Sequence, residues 1–110
     1  MAYDEDLAER LGEQLADEPG ISTKRMFGGH AFLSEGHMVV SASGRGGLLV
    51  RIDPDETAAA LARPYVSRMV MGGREMDGWL LVAAAGVEDD AALAGWVEQA
   101  LSFVRTLPPK

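Results

Sequence analysis

The chain has 110 residues, 47% hydrophobic and 25% charged, which fits one globular domain with a single core and excludes a disordered chain or a fibrous repeat. Its 17 acidic residues against 10 lysines and arginines leave a net charge of −7, a poor starting point for autonomous binding to duplex DNA. With no cysteine there is no disulfide, no thiolate metal site and no cysteine nucleophile, which suits a reducing compartment.

The first element is a helix predicted over about Asp4 to Ala16. Leu7, Ala8, Leu11 and Leu15 recur on one face, and Asp4, Glu5 and Asp6 stand in the first turn, where carboxylates complement the helix dipole. Pro19 and Gly20 end it. From Ile21 to Ile52 the pattern shortens to runs broken by glycine. Met38, Val40 and Ala42 alternate with His37, Val39 and Ser41, and after SGRGG, Leu48, Val50 and Ile52 alternate with Leu49 and Arg51. This is a meander with turns at SEGH and GRGG, whose glycines supply positive φ.

At DPDE the strands meet a helix start, with Asp53 as N-cap, Pro54 as first helical residue and Glu56 placed to complete a capping box. The run TAAALA that comes next is short and of little bulk, and Pro64 ends it. Two further strands are predicted near Ser67 to Met71 and Gly78 to Ala83, joined by the MGGREMD turn. The last element is the clearest. Leu93, Trp96, Val97, Ala100, Leu101 and Val104 mark one face of a helix opened by Glu88, Asp89 and Asp90 and closed by Pro108 and Pro109. The order is therefore helix, three to four strands, short helix, two strands, long helix. It predicts an α+β domain of two layers, an antiparallel sheet with helices on one face, spanning residues 1–110 without a linker.

The charge is unevenly spread. Residues 1–23 hold seven acids against Arg10, net −6; residues 24–76 hold seven cations against five acids, net +2; residues 77–110 hold five acids against Arg105 and Lys110, net −3. A small arginine patch on the middle segment is therefore compatible with the acidic total. The plainer reading is arginines spread over a solvated surface. No apolar run approaches the roughly 20 residues that span a bilayer, and the acidic start MAYDEDLAER is unlike a signal peptide. A cytoplasmic protein without membrane contact is expected.

Recognisable chemistry is sparse. A two-residue turn at Glu35 and Gly36 pairs Ser34 with His37, Phe32 with Val39 and His30 with Ser41, placing the two imidazoles about 13 Å apart on one face, too far to share an ion. No HExxH or calcium-loop pattern is present, so no metal and no cofactor is expected. GRGG, Gly44 to Gly47, leads into a strand rather than a helix and reads as a hairpin turn, not a phosphate cradle. The serines show no GxSxG elbow, and no catalytic residue can be assigned. Met26, Met38, Met69, Met71 and Met76 read mainly as core filler, as do Trp79 and Trp96.

RMFGG (Arg25 to Gly29), the strand and Gly-containing turn up to Met38, LLVRI (Leu48 to Ile52), GGREMDGWLLV and the terminal helix with Trp96 together resemble the TfoX N-terminal domain family, related to the competence regulator Sxy. The resemblance covers about Asp4 to Pro108, and RMFGG is its most specific part. It implies a two-layer domain of helix, three strands, helix, two strands and helix, so the segment Ser22 to Gly28 is expected to merge with His30 to Glu35. The longer family members are thought to aid transcription of DNA-uptake genes with a cyclic-AMP receptor protein and carry a second domain. This sequence ends at TLPPK, and direct DNA binding is not expected of it. The resemblance thus implies a regulatory, non-enzymatic protein-interaction module linked to transcription or competence, with a protein partner and room for a homodimer. Its expected surface is Arg25, Phe27, Gly28, Gly29, Arg51 and Arg74, the glycines admitting close backbone approach; RMFGG held by geometry alone is the competing reading. A small-molecule or anion binder using the same arginines, or an enzyme of unidentified chemistry, are the alternatives.

Overall fold

The computed structural model describes residues 3–26 and 28–108. The first helix, α1 (Glu5–Gln14), is capped by the Asp4 carboxylate, which accepts the N–H groups of Asp6 at 3.0 Å and Leu7 at 3.2 Å. Leu7, Leu11 and Leu15 are all buried, as their spacing requires.

Four strands come next: β1 (Ile21–Met26), β2 (Gly29–Ser34), β3 (His37–Ala42) and β4 (Leu48–Arg51). The expected merger of the first two does not occur, because Met26 pairs with Gly29 and the chain reverses between them. At the next turn Glu35 and Gly36 have φ of 50° and 86°, the two positive values a type I′ hairpin needs. Ser34 pairs with His37, as the two-residue turn requires. Beyond that the register departs from strict alternation, with Leu33 opposite Met38 but Phe32 opposite Val40 and His30 opposite Ala42. The irregularity leaves Val39 as an extra residue, and both Val39 and Val40 are buried in the core beneath the helices.

Asp53 caps the next segment by accepting the Asp55 N–H at 2.9 Å, and Pro54 opens a 3-10 turn that runs into α2 (Thr57–Leu61). The capping box is only half built. Glu56 accepts a bond from the Gln99 amide at 3.1 Å instead of reaching back to the cap. Thr57 ties this segment to the sheet: its buried hydroxyl donates to the Pro54 carbonyl at 2.7 Å and accepts the Gly78 N–H at 2.8 Å. Thr57→Val keeps the shape but orphans the Gly78 N–H, a buried group. We expect a loss of about 1–3 kcal/mol, read as a lower urea midpoint at unchanged m.

The last strands are β5 (Val66–Met71) and β6 (Arg74–Val82), and their turn is shorter than expected, only Gly72 and Gly73 with φ of 60° and 80°. Arg74 to Asp77 belong to the strand. In this ladder Arg68 faces Leu80 and Met69 faces Met76, so Asp77, Gly78 and Trp79 have no β5 partner and the hairpin bends there. Finally α3 (Asp90–Val104) buries Leu93, Trp96, Val97, Ala100, Leu101 and Val104. No described helix is long and apolar enough to cross a membrane.

The six strands form one antiparallel sheet in the order β1-β2-β3-β4-β6-β5. The main core lies between its first face and the helices, joining Leu7, Leu11, Trp96, Val97 and Leu101 to Phe32, Val40, Val50, Ile52, Leu80 and Val82. This is the two-layer α+β architecture expected. Arg10 of α1 closes the helix layer, donating to the Val87 carbonyl and to Asp90, each at 2.8 Å.

Candidate functional site

Strand residues alternate between faces, so the partners of the main core have neighbours that point away from the helices. Those neighbours form a second apolar cluster made of strand residues only. Ala31, Met38, Leu49 and Met69 are buried at its centre, and Met26, Leu33, Trp79 and Leu81 are half-buried around it. Met26 of β1 and Met69 of β5 line one cavity with Leu49, although these strands are opposite edges of the sheet. Six flat strands at about 4.8 Å spacing would hold the edges roughly 24 Å apart. The sheet therefore curls toward its second face, and the bent β5–β6 hairpin helps cover the cluster.

Three glycine turns meet where it curls. A Cβ on Gly29 would overlap the Ala42 carbonyl oxygen and stand 3.0 Å from the Ser41 hydroxyl and 3.1 Å from the Gly44 nitrogen. One on Gly44 would stand 2.6 Å from the Gly28 oxygen. The glycine pair of RMFGG thus packs backbone to backbone on the glycine of the following turn. Gly72 of the β5–β6 turn borders the same cavity as Gly44. Gly28 and Gly29 therefore have an architectural role.

The arginines expected to gather with them are separated. Arg25 lies opposite His30, and His30 opposite Ala42 of the helix-side core, so Arg25 projects toward the helix side at the sheet edge. Arg51 is two residues from Leu49, so its side chain starts from the opposite face, but its guanidinium reaches the margin of the helix layer at Phe103 of α3. Its guanidinium lies 4.9 Å from the Trp79 ring centroid and 5.6 Å from that of Phe103, and burial pulls its pKa below the usual arginine value. Arg74 lines a groove of about 470 Å³ with Glu75, Met76, Asp77 and Trp79. Arg51 and Arg74 thus share Trp79, and Arg25 is not part of that group. Phe27 lies outside the described residues.

Trp79 itself, expected in the core, is instead half-buried at the margin of the second face. Among the described residues neither Arg51 nor Arg74 has a carboxylate within ion-pair distance. Arg68, by contrast, is held by Asp77 at 2.9 Å and Glu75 at 3.6 Å, and Arg105 by Glu18 at 2.7 Å. The Glu18 hydrogen bond pushes the Arg105 pKa up. The histidines are both engaged. His30 stacks at 5.5 Å from Tyr3 and 5.1 Å from Phe32, and the His37 Nε2–H donates to the Pro108 carbonyl at 2.6 Å. Among the described residues no group of three metal-ligating side chains occurs.

The model of the TfoX N-terminal domain matches residues 13–104. No curated protein and no solved structure matches the chain.

Proposed function

Since the chain belongs to the TfoX N-terminal domain family, we propose that it is a non-enzymatic regulatory module that binds a protein of the transcription machinery or its control, through the second face of its sheet. The observation that supports this reading is the Arg51–Trp79–Arg74 group: a half-exposed tryptophan beside a methionine-rich apolar cluster, with the Arg51 guanidinium at its ring and Arg74 lining the same groove, neither arginine having a carboxylate partner among the described residues. Tryptophan, methionine and arginine are the residue types enriched where proteins meet, and tryptophan and arginine dominate binding hot spots. The unpaired cations suit a partner segment that presents carboxylates beside apolar side chains. Gly28 and Gly29 contribute to that surface only by shaping the curl of the sheet, and Arg25 lies on the other face.

The test is affinity capture from nuclease-treated native cytosol, run in parallel with wild type and with the double variant Trp79→Ser, Arg74→Glu. The reading expects a polymerase subunit or transcription factor retained by wild type and weakened roughly 30-fold or more by the variant, the loss of about 2 kcal/mol typical of one hot spot. A transcription protein held equally by both forms, or none held by wild type, would overturn it. The variant's thermal melt must stay close to that of wild type for either result to be read.

A further inference from the structure

The cavity framed by the three glycine turns has a chemistry of its own. It measures about 240 Å³ and is lined by Met26, Leu49 and Met69 as apolar walls and by Ser41, Ser43 and Arg45 as polar groups, with no acidic residue among its lining. It shares no lining residue with the Arg74–Trp79 groove, although its apolar walls belong to the same second cluster as Trp79.

Ser41 is the telling group. It is only 2% exposed and sits between Ala31 and Leu49, the centre of the second apolar cluster. Among the described residues its hydroxyl has one partner, the carbonyl of the adjacent Ala42 at a long 3.3 Å. A buried hydroxyl in apolar surroundings costs free energy unless it is well bonded, and this one opens into a cavity. Ser43 accepts the Arg45 N–H at 3.1 Å, which leaves its own proton to donate. The exposed Arg45 has no carboxylate partner among the described residues, and Lys24, on the same sheet face as Met26, adds positive charge. Ser41, Ser43 and Arg45 thus line, with no acid among them, a space whose other side-chain walls are hydrocarbon.

We infer that this cavity binds a short-chain aliphatic carboxylate, its alkyl chain between Met26, Leu49 and Met69 and its carboxylate against the Ser41 and Ser43 hydroxyls and the Arg45 guanidinium. At about 30 Å³ per small non-hydrogen group, a cavity of this size holds about eight such atoms, the size of hexanoate. The glycine contacts explain why the site lies here, since a Cβ at position 29 would press on the Ser41 hydroxyl.

The full chain carrying ¹³C-methyl methionine tests this directly, with hexanoate as the probe. The inference expects saturable shifts of the Met26 and Met69 methyl signals and little change at Met76, which borders the other groove. Hexylamine, of the same length and opposite charge, should leave them unmoved. Arg45→Gln, at an exposed turn position where folding is not at stake, should weaken hexanoate at least tenfold, and Arg45→Lys should restore part of the loss. No saturable shift, an equal response to hexylamine, or unchanged affinity in Arg45→Gln would each overturn the site.

Discussion

Replacing Gly29 with alanine should cost about 2–4 kcal/mol and lower the melting temperature by roughly 10 °C or more, although the change adds a single methyl group. Its Cβ would meet the Ala42 carbonyl oxygen, the Ser41 hydroxyl and the Gly44 nitrogen, two of them backbone atoms that cannot rotate away. The neighbouring Gly28→Ala makes the control. There φ is +75° but the nearest atom to an added Cβ is 3.9 Å away, so only the left-handed backbone strain remains, about 1–2 kcal/mol. Gly44→Ala should cost a similar amount through a different clash, its Cβ standing 2.6 Å from the Gly28 oxygen. Because the Cβ added at Gly29 also stands 3.1 Å from the Gly44 nitrogen, the two sites are coupled, and the double variant should lose less than the two single losses combined. Urea melts of the four proteins decide the matter. A Gly44→Ala protein as stable as wild type would mean that the two turns do not touch.

That contact marks the boundary of what the sequence discloses. The two long helices are legible because each repeats its signal over several turns: Leu7, Leu11 and Leu15 in α1 and six residues in α3 report one face many times over. The strands are legible as elements but not in register. A single extra residue at Val39 shifts the pairing of Phe32 and His30 by one, and alternation in VVS carries no mark of where a bulge falls. The curl of the sheet is not legible at all, because it arises from the unmatched Asp77 to Trp79 segment and from contacts between turns far apart in sequence. For that reason Arg25 and Arg51, grouped by their place in family motifs, fall on opposite faces. Ser41 could have been singled out. The run MVVSA is apolar on both phases apart from this serine, and a polar residue in a strand buried on both faces calls for a partner.

The two tryptophans, alike in the sequence, should behave oppositely when removed. Trp96 is 2% exposed in the helix-side core, with the Arg63 guanidinium 3.8 Å from its ring centroid. Trp96→Ala empties that volume at a site closed by two layers, and we expect a loss of about 3–5 kcal/mol, against a total stability of about 5–15 kcal/mol for a domain of ordinary size. The variant should be partly unfolded near body temperature and lose every function together. Trp79 stands at the margin of the second face, where water and the Arg51 stem can close over a truncation. Trp79→Ala should therefore cost about 1 kcal/mol and leave the melt nearly intact while abolishing partner capture. Single-tryptophan proteins give an independent reading. With Trp79→Phe, the remaining Trp96 should emit in the blue and resist acrylamide quenching; with Trp96→Phe, Trp79 should be quenched readily in the free protein and protected once a partner binds. Protection of Trp79 without any partner would place it in a contact between copies of this chain, and the second face would then be a self-association surface.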